Sequence, residues 1–109
     1  MFEAVVVARE AVCSVKPILD AVKDGEVRDQ LKRASLSVVL NLAEGNARTG
    51  KDKRNRFAIA EGSAREAVEA IWTAIGWGYV TEEEARGVIA LFDRTIAMLV
   101  RLRFPRPER

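Results

Sequence analysis

Hydrophobic residues recur at alternating spacings of three and four along most of the chain, the pattern of amphipathic α-helices. This pattern predicts four helices, at about residues 3–24, 26–44, 51–76 and 81–103. Pro17 lies inside the first segment and should kink that helix near Cys13. Because the predicted links are short, we expect an all-α, antiparallel up-down-up-down four-helix bundle over residues 1–104. A short basic tail would follow at 105–109.

Several polar and glycine residues mark the predicted helix ends. The run Thr-Glu-Glu-Glu at 81–84 is typical of a capping box at the start of the fourth helix. Gly45 should end the second helix in a left-handed conformation. Within the third helix, we expect Glu61 on the solvent face and Gly62 where a missing side chain permits close packing.

Composition places the chain among small soluble globular domains. It has 109 residues, of which 49% are hydrophobic and 31% charged, enough for one core. The single cysteine, Cys13, cannot form an internal disulfide, so we expect a reducing compartment and a buried, unreactive thiol. No apolar run is long enough to span a membrane. We therefore expect no membrane partner and a cytoplasmic location.

The composition gives little basis for catalysis. The chain has no histidine, so a Ser-His or Cys-His nucleophile is excluded. The histidine-containing metal sites typical of helical bundles are excluded for the same reason. A glycine-rich phosphate-binding loop is also absent from the sequence. We expect a non-enzymatic protein with no cofactor, no metal and no small-molecule substrate.

The net charge is only +2, but the charges are unevenly distributed. Basic residues are concentrated at 46–60 and 94–109, whereas 61–86 contains six glutamates. Contact with a phosphate backbone and simple solubilisation both remain open as explanations. Phe57 is the one aromatic residue beside the first basic segment, and the helical pattern assigns it to the core, so base stacking is not predicted. The candidate nucleic-acid-binding residues are Arg48, Lys51, Lys53, Arg54, Arg56, Arg101, Arg103 and Arg106.

A polar stripe interrupts the apolar second helix, and its residues recur at spacings of three and four. Buried amides and carboxylates need hydrogen-bonding partners, and the third helix carries a matching polar series. We therefore predict a network between the two helices, completed by an arginine such as Arg56. It could fix the helix register, form a ligand or metal site, or lie at a subunit boundary. Its predicted members are Arg33, Ser37, Asn41, Glu44, Ser63 and Glu66.

Two segments of the chain resemble a known family. They are QLKRASLSVVLNLAEGNAR and RFAIAEGSAREAVEA, and they resemble four-helix bundle proteins encoded in intervening sequences of large-subunit ribosomal RNA genes. The family pattern combines Gln-Leu-x-Arg-Ala-x-x-Ser, Asn-hydrophobic-Ala-Glu-Gly and, after a basic loop, Arg-Phe-x-x-Ala-x-Gly-Ser-x-x-Glu. The matching positions are Gln30, Leu31, Arg33, Ala34, Ser37, Asn41, Ala43, Glu44, Gly45, Arg56, Phe57, Ala60, Gly62, Ser63 and Glu66.

The resemblance carries expectations about partners. The family is similar to the accessory variability determinant of diversity-generating retroelements, a bundle that partners a reverse transcriptase and its RNA. Both groups are associated with homopentameric rings. The resemblance thus implies a homo-oligomer, in particular a pentamer, that binds RNA or a ribonucleoprotein, including a reverse transcriptase, through its basic loop and tail. The alternative is a protein–protein scaffold without direct nucleic-acid contact.

Overall fold

The computed structural model describes residues 2–105, and this part of the chain is folded entirely as α-helices and their connections. The first arm of the bundle consists of two consecutive helices, and each of the other three arms is one helix. The arms alternate in direction, which confirms the predicted antiparallel four-helix bundle. Arg106 and the remainder of the predicted tail lie outside the described residues. The helices are α1 (Glu3–Ser14), α2 (Lys16–Ala21), α3 (Gly25–Asn46), α4 (Gly50–Gly76) and α5 (Glu82–Arg103).

The first arm is broken at Val15, two residues before Pro17. Proline has no amide hydrogen, and its ring clashes with the carbonyl group four residues earlier, here that of Cys13. At the break, the Val15 amide donates at 3.4 Å to the Val12 carbonyl, which is three residues earlier and not four as in a regular α-helix. The regular pattern resumes at Leu19, whose amide donates to the Val15 carbonyl at 3.0 Å. The predicted kink is therefore a break between two helices.

The core extends along the whole bundle, which measures 47 × 25 × 22 Å. Large side chains such as Leu31, Ile71 and Phe92 are fully buried. Four of the six buried positions of α4 are alanine. These short side chains allow neighbouring helices to approach closely, and the most extensive helix pair is α3 with α4.

Gly45 does not end α3, contrary to its predicted role. The helix continues to Asn46, and positive φ values occur instead at Gly50 (58°) and Gly78 (81°). Gly45 is buried because α4 passes directly over it. A Cβ atom at this position would lie 2.8 Å from two ring carbons of Phe57, so the glycine is required for close helix packing.

The predictions for Gly62 and Glu61 were also wrong. Gly62 is exposed, and a Cβ atom there would meet nothing within 4 Å, so this glycine does not mediate packing. The Glu61 side chain is only 13% exposed because the end of α5 lies against it. Its carboxylate accepts hydrogen bonds from Arg103 at 2.7 Å and Arg65 at 3.1 Å.

The predicted capping box at the start of α5 is confirmed. The Thr81 hydroxyl accepts a hydrogen bond from the Glu84 amide at 3.0 Å, and the Glu84 carboxylate accepts one from the Thr81 amide at 2.9 Å. The backbone hydrogen bond from Thr81 holds the pKa of Glu84 below its usual value. Helix α3 begins with a comparable cap, in which the Asp24 carboxylate accepts from the amides of Glu26 and Val27.

Cys13 is exposed, whereas a buried thiol was predicted. Ala8 and Ala11 occupy the inward positions of α1, and a residue two places after Ala11 points to another side of the helix. The thiol therefore faces solvent.

Candidate nucleic-acid interface

The antiparallel arms bring the two basic segments of the sequence to the same end of the bundle. The starts of α1 and α4 lie there with the ends of α3 and α5. Seven cations from these segments are accompanied by four carboxylates, those of Glu3, Glu44, Asp52 and, paired with Arg103, Glu61. We call this region the basic end. Its cations among the described residues are Arg48, Lys51, Lys53, Arg54, Arg56, Arg101 and Arg103.

The opposite end of the bundle, which contains the starts of α3 and α5, has the reverse balance of charge. We call it the acidic end. Its six carboxylates are accompanied by the three cations Lys23, Arg28 and Arg86. The molecule is therefore electrostatically polar along its length, although its net charge is small. The carboxylates are Asp24, Glu26, Asp29, Glu82, Glu83 and Glu84.

An open depression lies at the basic end where the first turns of α4 pass the end of α5. Lys51 and Arg54 come from α4, and Arg103 comes from α5. Lys51 and Arg54 are exposed and form no ion pair with any other residue between 2 and 105. Their charges are available to an external anion. The depression is lined by Lys51, Arg54, Asn55, Ala58, Arg103 and Phe104.

Arg103 is held in place on one side of this depression. Its guanidinium donates to the Glu61 carboxylate at 2.7 Å, and its Cζ atom lies 4.8 Å from the centre of the Phe104 ring. Desolvation raises the pKa of Glu61, but hydrogen bonds from Arg103 and Arg65 outweigh it and leave that pKa below its usual value. Glu61 is therefore ionised at neutral pH and fixes the position of Arg103.

Other predicted interface residues are partly engaged within the protein. Arg48 forms an ion pair with Glu44 and a second, at 3.4 Å, with Asp52. The hydrogen bond from Arg48 lowers the pKa of Glu44. Arg56 donates to the Asn41 side chain at 3.3 Å. Their charges are thus less available to an external partner than those of Lys51 and Arg54.

Lys53 and Arg101 complete the predicted set within the described residues. Lys53 is half-buried. Arg101 is exposed and borders a separate recess with Phe2 and Glu3 at the start of α1. Arg101 therefore extends the basic surface beyond the depression without lining it.

The predicted polar stripe forms a hydrogen-bonded chain across the α3–α4 seam. The hydroxyls of Ser37 and Ser63 are 2.7 Å apart. The Asn41 amide nitrogen donates to both the hydroxyl and the carbonyl of Ser37, each at 3.0 Å. Arg56 then donates to the Asn41 carbonyl oxygen. Each polar group in this half-buried seam has a partner, an arrangement that suits a fixed helix register.

Three of the predicted network residues lie outside this chain. Arg33 and Glu66 are exposed and form no hydrogen bond with the rest of the described chain, because the adjacent Ala34 and Ala67 occupy the inward positions. Glu44 bonds Arg48, one turn along its own helix. The structure therefore gives the network fewer members than the spacing predicted.

Large apolar side chains are exposed next to the polar chain. Leu36 precedes Ser37 and is 49% exposed, whereas Leu40 precedes Asn41 and is 58% exposed. Because Leu36 and Leu40 are four residues apart, they share one face of α3. Large apolar residues on one exposed helix face are typical of a surface that becomes covered on association.

Phe104 is the component of the depression that sequence patterns did not identify as a site residue. The available signal was topological. In an antiparallel bundle, a helix that ends at 103 must lie beside the start of a helix near 51. The predicted helix bounds thus already placed Phe104 close to Lys51.

The described residues contain no group of three or more side chains suited to hold a metal ion. No helix within this part of the chain is long and apolar enough to cross a bilayer.

Comparison with known proteins relates the chain to one family. Residues 3–101 match the model of the 23S rRNA-intervening sequence protein family, and the chain belongs to this family. Its fold is similar to that of a Bacteroides thetaiotaomicron VPI-5482 protein of unknown function from the S23 ribosomal protein family, with a TM-score of 0.86. The two sequences are 17% identical over 93% of this chain and 98% of the other, so this likeness concerns the fold alone. No curated protein matches the chain.

Proposed function

We propose that this member of the 23S rRNA-intervening sequence protein family binds RNA, alone or within a ribonucleoprotein, through the basic end of its bundle. The observation that supports this most directly is the depression in which Lys51 and Arg54 stand beside Arg103. Cations that contact phosphates release the counterions condensed on the nucleic acid, which favours binding without sequence preference. The proposal places the protein in the cytoplasm, where an exposed Cys13 stays reduced.

The proposed role is binding without catalysis. The chain has no histidine, so the commonest general base is absent. The depression is lined by cations, an amide and apolar groups, which suit the neutralisation of phosphate charge better than proton transfer.

We also propose that the protein is a homo-oligomer, with a pentameric ring as the stoichiometry that its resemblance to retroelement accessory proteins implies. Exposed Leu36 and Leu40 support association, because removing apolar surface from water is favourable. A ring would present several basic ends to one RNA molecule and strengthen weak contacts through avidity. The same resemblance suggests a reverse transcriptase complex as the ribonucleoprotein partner.

The RNA proposal is tested by binding of a labelled, structured RNA across a salt series. We expect the affinity of the wild-type protein to fall steeply with salt. In the Lys51→Gln/Arg54→Gln variant, affinity and the slope of log K against log salt should both decrease, the slope by about 1 to 2. The matched control is Arg28→Gln/Arg86→Gln, which removes the same charge from the acidic end.

Two results would overturn the proposal. One is the absence of wild-type binding at low salt. The other is an equal loss of affinity in the control variant, since this would show that binding follows overall charge and not the basic end.

A protein–protein scaffold is the second candidate, and the exposed Leu36 and Leu40 side chains favour it. It predicts a stable oligomer that does not bind RNA. The RNA-binding assay separates the two candidate functions, and light scattering of the wild-type protein and of Leu36→Ser/Leu40→Ser tests the assembly that both of them require. A wild-type monomer at working concentration would contradict assembly, and an oligomer unaffected by the double substitution would place the interface elsewhere.

A further inference from the structure

We propose that the basic end is a site for single-stranded RNA, in which Phe104 stacks on an unpaired base while Lys51 and Arg54 bind the adjacent phosphates. This inference rests on the proposed RNA binding. It goes further by specifying the state of the strand and the residue that recognises it.

The first observation is the exposure of Phe104. This side chain is 65% exposed and does not belong to the buried core of the bundle. It stands at the rim of a depression whose other prominent groups are Lys51, Arg54 and Arg103. An open aromatic ring beside cations that follow a phosphate backbone is the combination that proteins use to bind single strands.

The second observation is that the ring has a fixed neighbour. The Arg103 guanidinium lies over Phe104, with Cζ 4.8 Å from the ring centre, and a 2.7 Å hydrogen bond to Glu61 anchors it. Glu61 is itself held from the other direction by Arg65. Phe104 is therefore supported by a chain of charged contacts that continues into α4, and its exposed surface is available to a base. A platform positioned before binding loses less entropy when the ligand arrives.

The third observation concerns the charges next to the ring. Lys51 and Arg54 are exposed and unpaired within residues 2–105, so an incoming phosphate displaces no internal ion pair. These residues are three apart and lie on one side of α4. A nucleotide that stacks on Phe104 would thus place its backbone within a field of free positive charge.

Phe104 also favours single-stranded over double-stranded RNA. In an A-form duplex each base is already stacked between its neighbours, and the deep, narrow major groove excludes side chains. A phenyl ring could insert beside a base only where that base is unpaired, in a loop, a bulge or a single-stranded end. Duplex RNA would still contact the cations, but it would gain nothing from the ring.

The bundle provides an internal control aromatic. Trp77 is 62% exposed, close to the value for Phe104, but it borders a recess at the acidic end with Asp24 and Glu26. Carboxylates repel a phosphate backbone. Exposure of an aromatic ring is therefore similar at the two ends of the bundle, while the electrostatic environment is opposite.

The experiment compares wild-type, Phe104→Ala, Phe104→Leu, Phe104→Trp and Trp77→Ala proteins. Fluorescence anisotropy would measure their binding to a labelled oligouridine of about 12 nucleotides, near the size of a single-strand site, and to a blunt RNA duplex of equal length. Loss of one base–aromatic stack should weaken oligouridine binding by about 5- to 150-fold in Phe104→Ala. Phe104→Leu, which keeps apolar bulk but has no ring, should behave similarly.

The remaining variants define what supports or overturns the inference. Phe104→Trp should retain oligouridine binding, Trp77→Ala should match the wild type on both probes, and no Phe104 variant should change duplex affinity more than about twofold. Unchanged oligouridine binding by Phe104→Ala, or an equal loss on duplex, would overturn the stacking role. If the wild type binds both probes through Lys51 and Arg54 but Phe104→Ala has no effect, only this inference fails. If the wild type binds neither probe, the proposed function fails with it.

Discussion

Gly45 and Gly62 each follow an Ala-Glu pair in the sequence, but we expect replacement by alanine to have opposite effects on stability at the two positions. In Gly45→Ala, the new Cβ atom would lie 2.8 Å from two carbons of the Phe57 ring and 3.0 Å from the Arg56 Cβ atom. Phe57 is 2% exposed and packs near Phe2, with ring centres 6.3 Å apart. The ring therefore cannot rotate into solvent to relieve the clash.

The magnitude follows from two opposing contributions. Replacing glycine by alanine in a helix interior stabilises by about 1 kcal/mol, whereas overpacking a well-packed core costs about 1 to 3 kcal/mol. Contacts with two ring carbons and with a Cβ atom close to the backbone place Gly45→Ala in the upper part of that range. We expect a net loss of about 1 to 2 kcal/mol.

Gly62→Ala is the matched control, since Gly62 is exposed within α4 and nothing lies within 4 Å of the position that the new Cβ atom would take. Only the helix-propensity contribution remains, so this variant should gain about 1 kcal/mol. Urea denaturation followed by far-ultraviolet circular dichroism would give both free energies of unfolding. The corresponding shifts in Tm are about 4–8 °C per kcal/mol for a domain near this size.

A Gly45→Ala protein as stable as the wild type, or more stable, would refute the steric explanation. A double-mutant cycle adds a direct check. Shortening the facing side chain in Phe57→Leu should make Gly45→Ala less harmful than it is in the wild type. Equal effects in both backgrounds would show that the Phe57 ring is not the obstacle.

Three further predictions concern single side chains. Ser35→Ala should stabilise the protein by about 1 kcal/mol in urea denaturation, because the buried Ser35 hydroxyl has no hydrogen-bond partner within the described chain; a loss of stability would contradict this. The lowered pKa of Glu61 means that its carboxylate stabilises the fold above about pH 4.5 and that this contribution disappears as the pH falls through the folded-state pKa. The Glu61→Gln variant should therefore have a lower free energy of unfolding than the wild type at pH 7, and acidification should lower that free energy less in the variant. Parallel stability–pH curves for the variant and the wild type would show that the Glu61 carboxylate does not contribute to stability in this way. Exposed Cys13 should react with a thiol reagent without denaturant, and a native thiol that reacts only after unfolding would disprove its exposure.

The fold was accessible from the sequence because its signals are local. Apolar spacing located the helices, and the Thr81–Glu84 box marks the start of α5. Pro17 indicated the distortion of the first arm, but its conversion into a break at Val15 depends on backbone geometry. Because patterns of this kind depend on helix geometry alone, they predict helix positions without any information about how the arms pack together.

The candidate site was less accessible because it depends on contacts between arms. Glu61 looked like a solvent-facing residue until the end of α5 placed Arg103 against it. Gly45 has the identity expected of a helix terminator, but the position of Phe57 accounts for it. Spacing along α3 correctly grouped Ser37 with Asn41, yet it could not show that Glu44 bonds Arg48 within the same helix.

The separation of charge between the two ends has a kinetic consequence. With cations at one end and carboxylates at the other of a body 47 Å long, the protein has a permanent electric dipole moment along its axis. In the field of a polyanion this dipole experiences a torque that turns the basic end forward before contact. Productive orientation would then begin within about a Debye length of the partner, roughly 8 Å at physiological ionic strength. Added salt would therefore slow the encounter itself as well as weaken the complex once formed.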